Sequence, residues 1–248
     1  MLVPLLALGF GVDMRYAIGA SLISVIATSS GAASAYVREG YSNIRIGMFL
    51  EIATTLGALT GAFLAQKIPT SMIAIIFGAL LVYSAAISVK PPRPSSSATH
   101  RDRIATYLRM NSSYPVREGR GEYYVHHVPA GFVMMFGAGT VSGILGIGAG
   151  VVKVLALDKM MRIPFKVSTT TSNFMIGVTA AASAGVYLNH GYIDPGLAMP
   201  VMLGVLVGAY LGSKALIKAR TPVLRIIFSL IILILAFEMI YKGIAGKL

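Results

Sequence analysis

Charge is scarce in this chain, and several function classes fall with it. Asp, Glu, Lys and Arg make up 12% of 248 residues, with 56% hydrophobic and a mean hydropathy of +0.76, whereas a soluble globule carries about 25% charged residues. Alternating apolar segments of the kind that build a membrane barrel are missing too. The apolar runs are about 20 residues long, which selects bilayer-spanning helices. Cysteine is absent, which excludes disulfides, thiolate metal sites and cysteine nucleophiles. No His and carboxylate cluster has metal-ligand spacing, and no nucleophile stands with a base. The expectation is therefore no enzyme, no metal and no cofactor. A net charge of +12 would suggest nucleic acid in a soluble protein. Here the Lys and Arg fall almost wholly between the apolar runs, where membrane orientation explains them and a nucleic-acid partner is not expected.

What the chain does have is a copy of itself. Shifted by 151 residues without a gap, Ser21 to Ala85 lies over Ser172 to Ala236 with 16 identities in 65 positions. They include Tyr36 with Tyr187, Gly40-Tyr41 with Gly191-Tyr192, Gly57-Ala58 with Gly208-Ala209, Gly61 with Gly212, and Lys67 with Lys218. Duplication in so apolar a chain points to a transporter whose site forms between related halves. Apolar length predicts seven spans, near Ala17–Val37, Arg45–Gln66, Ser71–Val89, Pro129–Leu145, Ser168–Leu188, Pro195–Ser213 and Val223–Tyr241. Between the third and fourth lies a Pro/Ser-rich linker, 90–128, with seven Lys/Arg.

The organisation expected is a first repeat at 1–89, the linker loop at 90–128 and a second repeat at 129–248. The linker is expected on the cytoplasmic side with Arg38, Arg45, Lys242 and Lys247, leaving Lys159, Arg162, Lys166, Lys214, Lys218 and Arg220 opposite. Four crossings between corresponding helices make the repeats parallel; they become inverted if Gly146 to Met161 also crosses. Under the same offset Met1 pairs with Val152, so Pro129 to Val151 has no partner ahead of it. Either the chain is truncated at its N-terminus or the first repeat has lost a helix.

Four features could carry chemistry. Gly143, Gly146, Gly148 and Gly150 fall within eight residues of an apolar run, where each glycine weakens a helix by about 1 kcal/mol relative to Ala. A helix break there would turn backbone N–H groups toward an anion; the other reading is tight helix packing. Lys153, set among valines and leucine, is an anion's electrostatic partner or a side chain snorkelling to the interface. Ser168 to Asn173 places six polar residues at the start of a span, as a helix cap or as substrate contacts, with Thr171, Ser172 and Asn173 the chosen ones. Ser21 offers a hydroxyl from the other half. Glu51 and Glu238 are the acids inside spans; Glu51 reads as interfacial, or as carrier of a coupled proton. His126-His127 reads as a solvated linker feature. The glycine pairs Gly57/Gly61 and Gly208/Gly212 read as close-packing devices.

These residues resemble the sulfite exporter TauE/SafE family of membrane permeases. The resemblance rests on Gly146-Ile-Gly148-Ala-Gly150-Val-Val-Lys153-Val, on Ile163-Pro164-Phe-Lys166-Val-Ser168-Thr-Thr-Thr171-Ser172-Asn173, and on Ala180-Ala-Ala-Ser183-Ala-Gly185-Val-Tyr187 with Gly191. Gly19-Ala-Ser21-Leu, Ser30-Gly31 and Tyr36 look like the first-half pattern. The residues themselves give an all-α polytopic bundle of about seven transmembrane helices plus a glycine-broken or re-entrant segment, built from two repeats; the resemblance implies two related halves and seven to nine helices. It also implies proton-coupled movement of a small anion such as sulfite or a sulfonate. Two positions depart from the pattern: the first-half glycine motif is absent before Val3-Pro4-Leu5, and alanine stands at 149 where glycine is usual. The expected partners are the anion and the bilayer, with a homo-oligomer allowed. The alternative class is a membrane scaffold or accessory subunit acting through the basic linker.

Overall fold

The computed structural model describes residues 2–38, 40–88, 102–116, 119–218 and 221–246. A short helical turn, α1 (Leu2–Pro4), runs into a π-helical turn at Leu5–Gly9 and then the long α2 (Met14–Arg38), α3 (Ile44–Lys67) and α4 (Thr70–Ser88). The linker contributes α5 (Arg103–Tyr107) and an antiparallel hairpin, β1 (Ser112–Val116) with β2 (Gly119–Tyr123). The second half is α6 (Val128–Leu145), α7 (Gly150–Leu155) with a π-turn at Ala156–Met160, α8 (Phe165–Asn189), α9 (Pro195–Lys218) and α10 (Thr221–Ile244).

The boundaries follow local chemistry. The Asn43 side chain caps α3 by accepting from Ile46 N at 3.1 Å. Prolines at 129, 164 and 195 mark the starts of α6, α8 and α9. The seven long helices coincide with the apolar runs to within a few residues. Among the described residues three stretches, Ile44–Lys67, Val128–Leu145 and Pro195–Gly212, have both the length and the hydropathy to cross a bilayer.

The 151-residue offset recurs in the backbone: it carries α2 onto α8, α3 onto α9, the π-turn Leu5–Gly9 onto Ala156–Met160, and Gly40 at φ 73° onto Gly191 at φ 74°. Direction is where the structure departs from the parallel arrangement. Along α2, Gly19 faces Tyr192, Ser29 faces Gly177 and Tyr41 reaches Thr170, so α2 and α8 are antiparallel. Gly78 of α4 meets Ala236 and Ile240, and Gly243 meets Ser71 and Ile75, so α4 and α10 are antiparallel as well. The halves are inverted. The cause is the stretch after α6: by Met161 the chain is back beside the start of α6, where Met161 O accepts from His126 N at 3.1 Å, which adds a crossing.

This geometry re-sorts the charges. Lys159, Arg162 and Lys166 lie on the linker face, and Lys166 sits 3.7 Å above the Tyr41 ring. The last turns of α9, with Lys214 and Lys218, end on that face too, because α10 must start there to run antiparallel to α4. Lys242, near the end of α10, falls on the opposite face with Arg15 and Lys67. Arg15 there donates to Gln66 O and Ile68 O, each at 3.3 Å.

Packing relies on glycine where helices touch. α6 lies parallel to α3: a Cβ on Gly57 would meet Phe136 O, one on Gly61 would meet Thr140 O, and one on Gly143 would meet Ala58 O. Such backbone approach supplies the contact that a hydrophobic drive supplies in water. Around it Ile46, Leu50, Ala53, Val128, Met135, Leu157 and Met161 form a buried core. The repeat-mates on α9 are different: Gly204, Gly208 and Gly212 are exposed, with nothing within 4 Å of an added Cβ. Leu6, Phe10, Leu197, Val201 and Gly204, equivalents of Leu157, Met161, Ile46, Leu50 and Ala53, line an open groove of about 610 Å³. Among the described residues the α3–α6 contact has no counterpart in the other half.

Linker residues 89–101 and 117–118 lie outside the described ones. The hairpin docks on the membrane domain: Asn43 Nδ2 donates to Tyr123 OH at 2.7 Å and to Met110 O at 3.1 Å. Burial raises the Tyr123 phenol above its ordinary range, keeping it protonated at neutral pH. The histidine pair is not a solvated feature throughout. His127 is exposed, but His126 is buried, with Nδ1 3.0 Å from Tyr124 O.

Candidate functional site

The glycine run breaks the helix. α6 ends at Gly146 (φ 66°), Gly148 follows at φ 70° and Ala149 at φ 45°, before α7 begins at Gly150. These left-handed residues explain the glycines, since a Cβ there would also strike Ile18 at 146 and Ile176 at 148. Ala149 holds the same region without that freedom, at a cost of about 1 kcal/mol. Ala149→Gly is therefore expected to raise the thermal midpoint of the detergent-solubilised protein, a gain of about 0.5–1 kcal/mol; an unchanged or lower midpoint would show that the loop carries no such strain.

The loop is held from both halves. Ser21 of α2 donates to Gly146 O at 3.0 Å, and Ser172 of α8, its repeat-mate, donates to Gly150 O at 3.3 Å. Tyr187 adds its hydroxyl to Gly143 O at 3.2 Å. Each serine thus spends its proton on a loop carbonyl, positioning the loop. Ser168 to Asn173 does not form a cap, because α8 already starts at Phe165. Ser168 donates to Ile163 O at 3.1 Å, Thr170 to Tyr41 O at 3.0 Å, and Thr171 accepts from Asn43 N at 3.0 Å. The bonds of Thr170 and Thr171 staple the start of α8 to the α2–α3 turn, while that of Ser168 is local. Asn173 is half-buried and takes no part in them.

Lys153 does not snorkel. It is wholly buried, and its Nζ donates to Met175 O at 3.2 Å and to Thr179 Oγ1. Thr179 Oγ1 in turn lies 2.6 Å from Glu51 Oε1. Glu51 is not interfacial either: it is 7% exposed, closed in by α8 on one side of α3. Thr55 donates to the same oxygen at 3.3 Å, while Glu51 Oε2 is buried without a partner. A chain of Lys153, Thr179 and Glu51 therefore joins α7 and α8 of one half to α3 of the other. Glu238 is spent locally, 3.5 Å from Lys242 one turn on.

Sequence reasoning singled out both ends of that chain and missed its middle. Thr179 was nonetheless marked: it is identical to Thr28 under the repeat. Ser142, fully buried one turn before the loop with an unpartnered Oγ, also went unnoticed. Among the described residues no group of three metal-ligating side chains comes together.

Inverted repeats, a helix broken at their interface and buried polar groups linking the halves define a polytopic α-helical membrane protein of the transporter class. The chain belongs to the Sulfite exporter TauE/SafE family, whose pattern it matches over residues 1–239. It is similar to the "Probable membrane transporter protein YunE" of Bacillus subtilis (strain 168), 24% identical over 236 residues, covering 94% of this chain and 83% of the relative. A second similar protein of that organism, "Probable membrane transporter protein YdhB", is 26% identical over 213 residues, 86% of this chain and 79% of its own length. A "Probable membrane transporter protein" of Xylella fastidiosa (strain 9a5c) is 26% identical over 246 residues, 98% of this chain and 87% of the relative. No solved structure matches the chain significantly.

Proposed function

We propose that this protein is a secondary transporter for a small oxyanion of the sulfite or sulfonate class, coupled to protons. The observation that carries the reading is the Lys153–Thr179–Glu51 chain beside a glycine-broken helix held by one serine from each half. Backbone N–H groups at the start of α7 face an anion without binding it irreversibly, and Lys153 supplies the compensating charge. An arriving anion competes with Thr179 and Glu51 for the lysine; a proton on Glu51 then offsets the carboxylate charge left behind. Gly146, Gly148 and Gly150 shape the loop, Ser21 and Ser172 position it, and Thr171 fixes α8 against α3. Arg45, Arg162 and Lys166 on the linker face support a cytoplasmic position for that face by the positive-inside rule.

The test is sulfite flux into liposomes with and without an imposed pH gradient. Gradient-dependent flux is expected. Lys153→Ala should lower it at least tenfold, the loss of one charge-assisted contact worth about 1.5–3 kcal/mol, and Glu51→Gln should abolish the gradient dependence. Equal flux in folded wild type and both variants removes these residues from the mechanism.

A further inference from the structure

The 151-residue offset also relates two contacts at opposite ends of the bundle. It carries Arg15 onto Lys166 and Tyr41 onto Tyr192. Lys166, at the start of α8, holds its Nζ 3.7 Å above the ring of Tyr41, which follows α2. Arg15, at the start of α2, lies 5.5 Å from the ring centre of Tyr192, which follows α8, and its Nη1 donates to the Tyr192 hydroxyl at 3.2 Å. Both distances fall within the about 6 Å over which a cation and an aromatic face attract. One cation–aromatic clasp therefore stands on the linker face and its repeat-mate on the opposite face.

Both clasps join the same two rods. Because α2 and α8 run antiparallel, each helix supplies the cation at one face and leads into the tyrosine at the other. Among the described residues neither cation is in an ion pair. At the linker face Thr170 tightens the end further, its hydroxyl donating to Tyr41 O at 3.0 Å. At the other face the repeat-mate of Thr170 is Gly19, where an added Cβ would strike Tyr192 O. Between the clasps the two rods enclose the glycine loop: Gly146 lies against Ile18 of α2, and Gly148 against Val25 of α2 and Ile176 of α8. Midway along, Gly177 of α8 meets Ser29 of α2.

We propose that the two clasps are the gates of the transport path, coupled so that opening one closes the other. This rests on the transporter reading and adds to it the residues that seal each mouth. Inverted repeats give two arrangements of the same kind, and rocking about a fixed site alternates access between the faces. Two rods in contact near their middle act as a lever: tilting α2 against α8 about the Ser29–Gly177 contact parts their ends at one face and presses them together at the other. The groups that separate are Lys166 and Tyr41, or Arg15 and Tyr192. A cation suits a gate in an anion path, because an entering anion competes with the tyrosine ring for it. The clasps differ in strength. Lys166 is exposed and rests on its ring alone, whereas Arg15 also donates to Gln66 O and Ile68 O, so the linker-face gate opens the more readily.

The chain has no tryptophan, so Tyr41→Trp and Tyr192→Trp each place a single fluorescent reporter in one clasp while keeping a ring over the cation. The experiment measures acrylamide quenching of each reporter in the full chain in nanodiscs, where both faces meet solvent, with no anion substrate present. Lys166→Gln is expected to raise quenching at position 41 and to lower it at position 192, on the other face, by at least about twofold, the population shift that one exposed cation–aromatic contact supplies. Arg15→Gln should do the reverse, and Lys166→Arg, which keeps a cation over the ring, should leave both reporters near their starting values. A purely local role for Lys166 changes position 41 and leaves position 192 untouched; that result overturns the coupling, as does a rise at both positions. Lys166 is exposed, so its arm decides even if Arg15→Gln, which also loses two carbonyl contacts, fails to fold. Reciprocal quenching in a protein that moves no sulfite keeps the gates and removes that substrate, whereas sulfite flux without reciprocal quenching keeps the substrate and removes the gates.

Discussion

Gly57→Leu is expected to collapse the folded yield of this protein, while Gly208→Leu, the same substitution at the repeat-mate, leaves it near wild type. The sequence gives the two glycines identical surroundings, Gly-Ala-x-x-Gly in both, and an argument from spacing alone predicts equal damage. The structure separates them. At Gly57 a Cβ would meet Phe136 O, and Thr140 N would be 2.9 Å away, so α6 must move bodily off α3. Backbone cannot repack as a side chain can, and the cost belongs at the upper end for overpacking, about 3 kcal/mol. At Gly208 the added side chain enters open space, where leucine is the better helix former and the change stays within about 0.5 kcal/mol. Thermal unfolding of both variants in one detergent decides it. A large loss at Gly208 would mean that α9 is covered in the membrane by a helix seated as α6 is on α3.

The comparison shows what a repeat in sequence can and cannot carry. Helix positions were legible because twenty-residue apolar runs have few alternatives in a bilayer, and the π-turns and αL glycines at 40 and 191 fall on the repeat as the offset requires. Orientation of the halves was not, because it turns on one crossing. Residues 146–161 combine glycines, a lysine and two short helical pieces, and no run of apolar length reports that they return to the linker face. With that crossing left as an alternative, Lys159, Arg162, Lys166, Lys214 and Lys218 stood opposite the linker and the charge bias looked mixed. Restoring it concentrates the basic residues on one face.

The site was legible in part for a similar reason. Glycines break helices wherever they sit, so the loop could be placed; Lys153 and Glu51 stood out because charge inside an apolar run is expensive. Their pairing was hidden, since the two are about a hundred positions apart and meet through a threonine. Ser21 and Ser172 were read as substrate contacts, but a hydroxyl's single proton satisfies one acceptor, and the loop carbonyls that the helix break frees are nearer claimants.

Removing both ends of the buried chain should cost less than the two single losses added together. Lys153→Met leaves Glu51 facing Thr179 and Thr55 with no opposing charge, and Glu51→Gln leaves Lys153 with only Thr179 and Met175 O. Each single variant is expected to lose about 3–5 kcal/mol, the usual cost of stranding one member of a buried charged pair. The double variant should recover part of it, with a coupling energy of about 1–3 kcal/mol in a double-mutant cycle measured by thermal unfolding. Because the contact runs through a hydroxyl, Thr179→Val should reduce that coupling to about 0.5 kcal/mol while keeping the side chain's shape. Additive single losses in the wild-type background would mean that the two charges do not sense each other, and the case for linking an anion at Lys153 to a proton on Glu51 would fall with it. Coupling that survives Thr179→Val would instead place the two charges in direct contact in the membrane, and the threonine would revert to a packing residue.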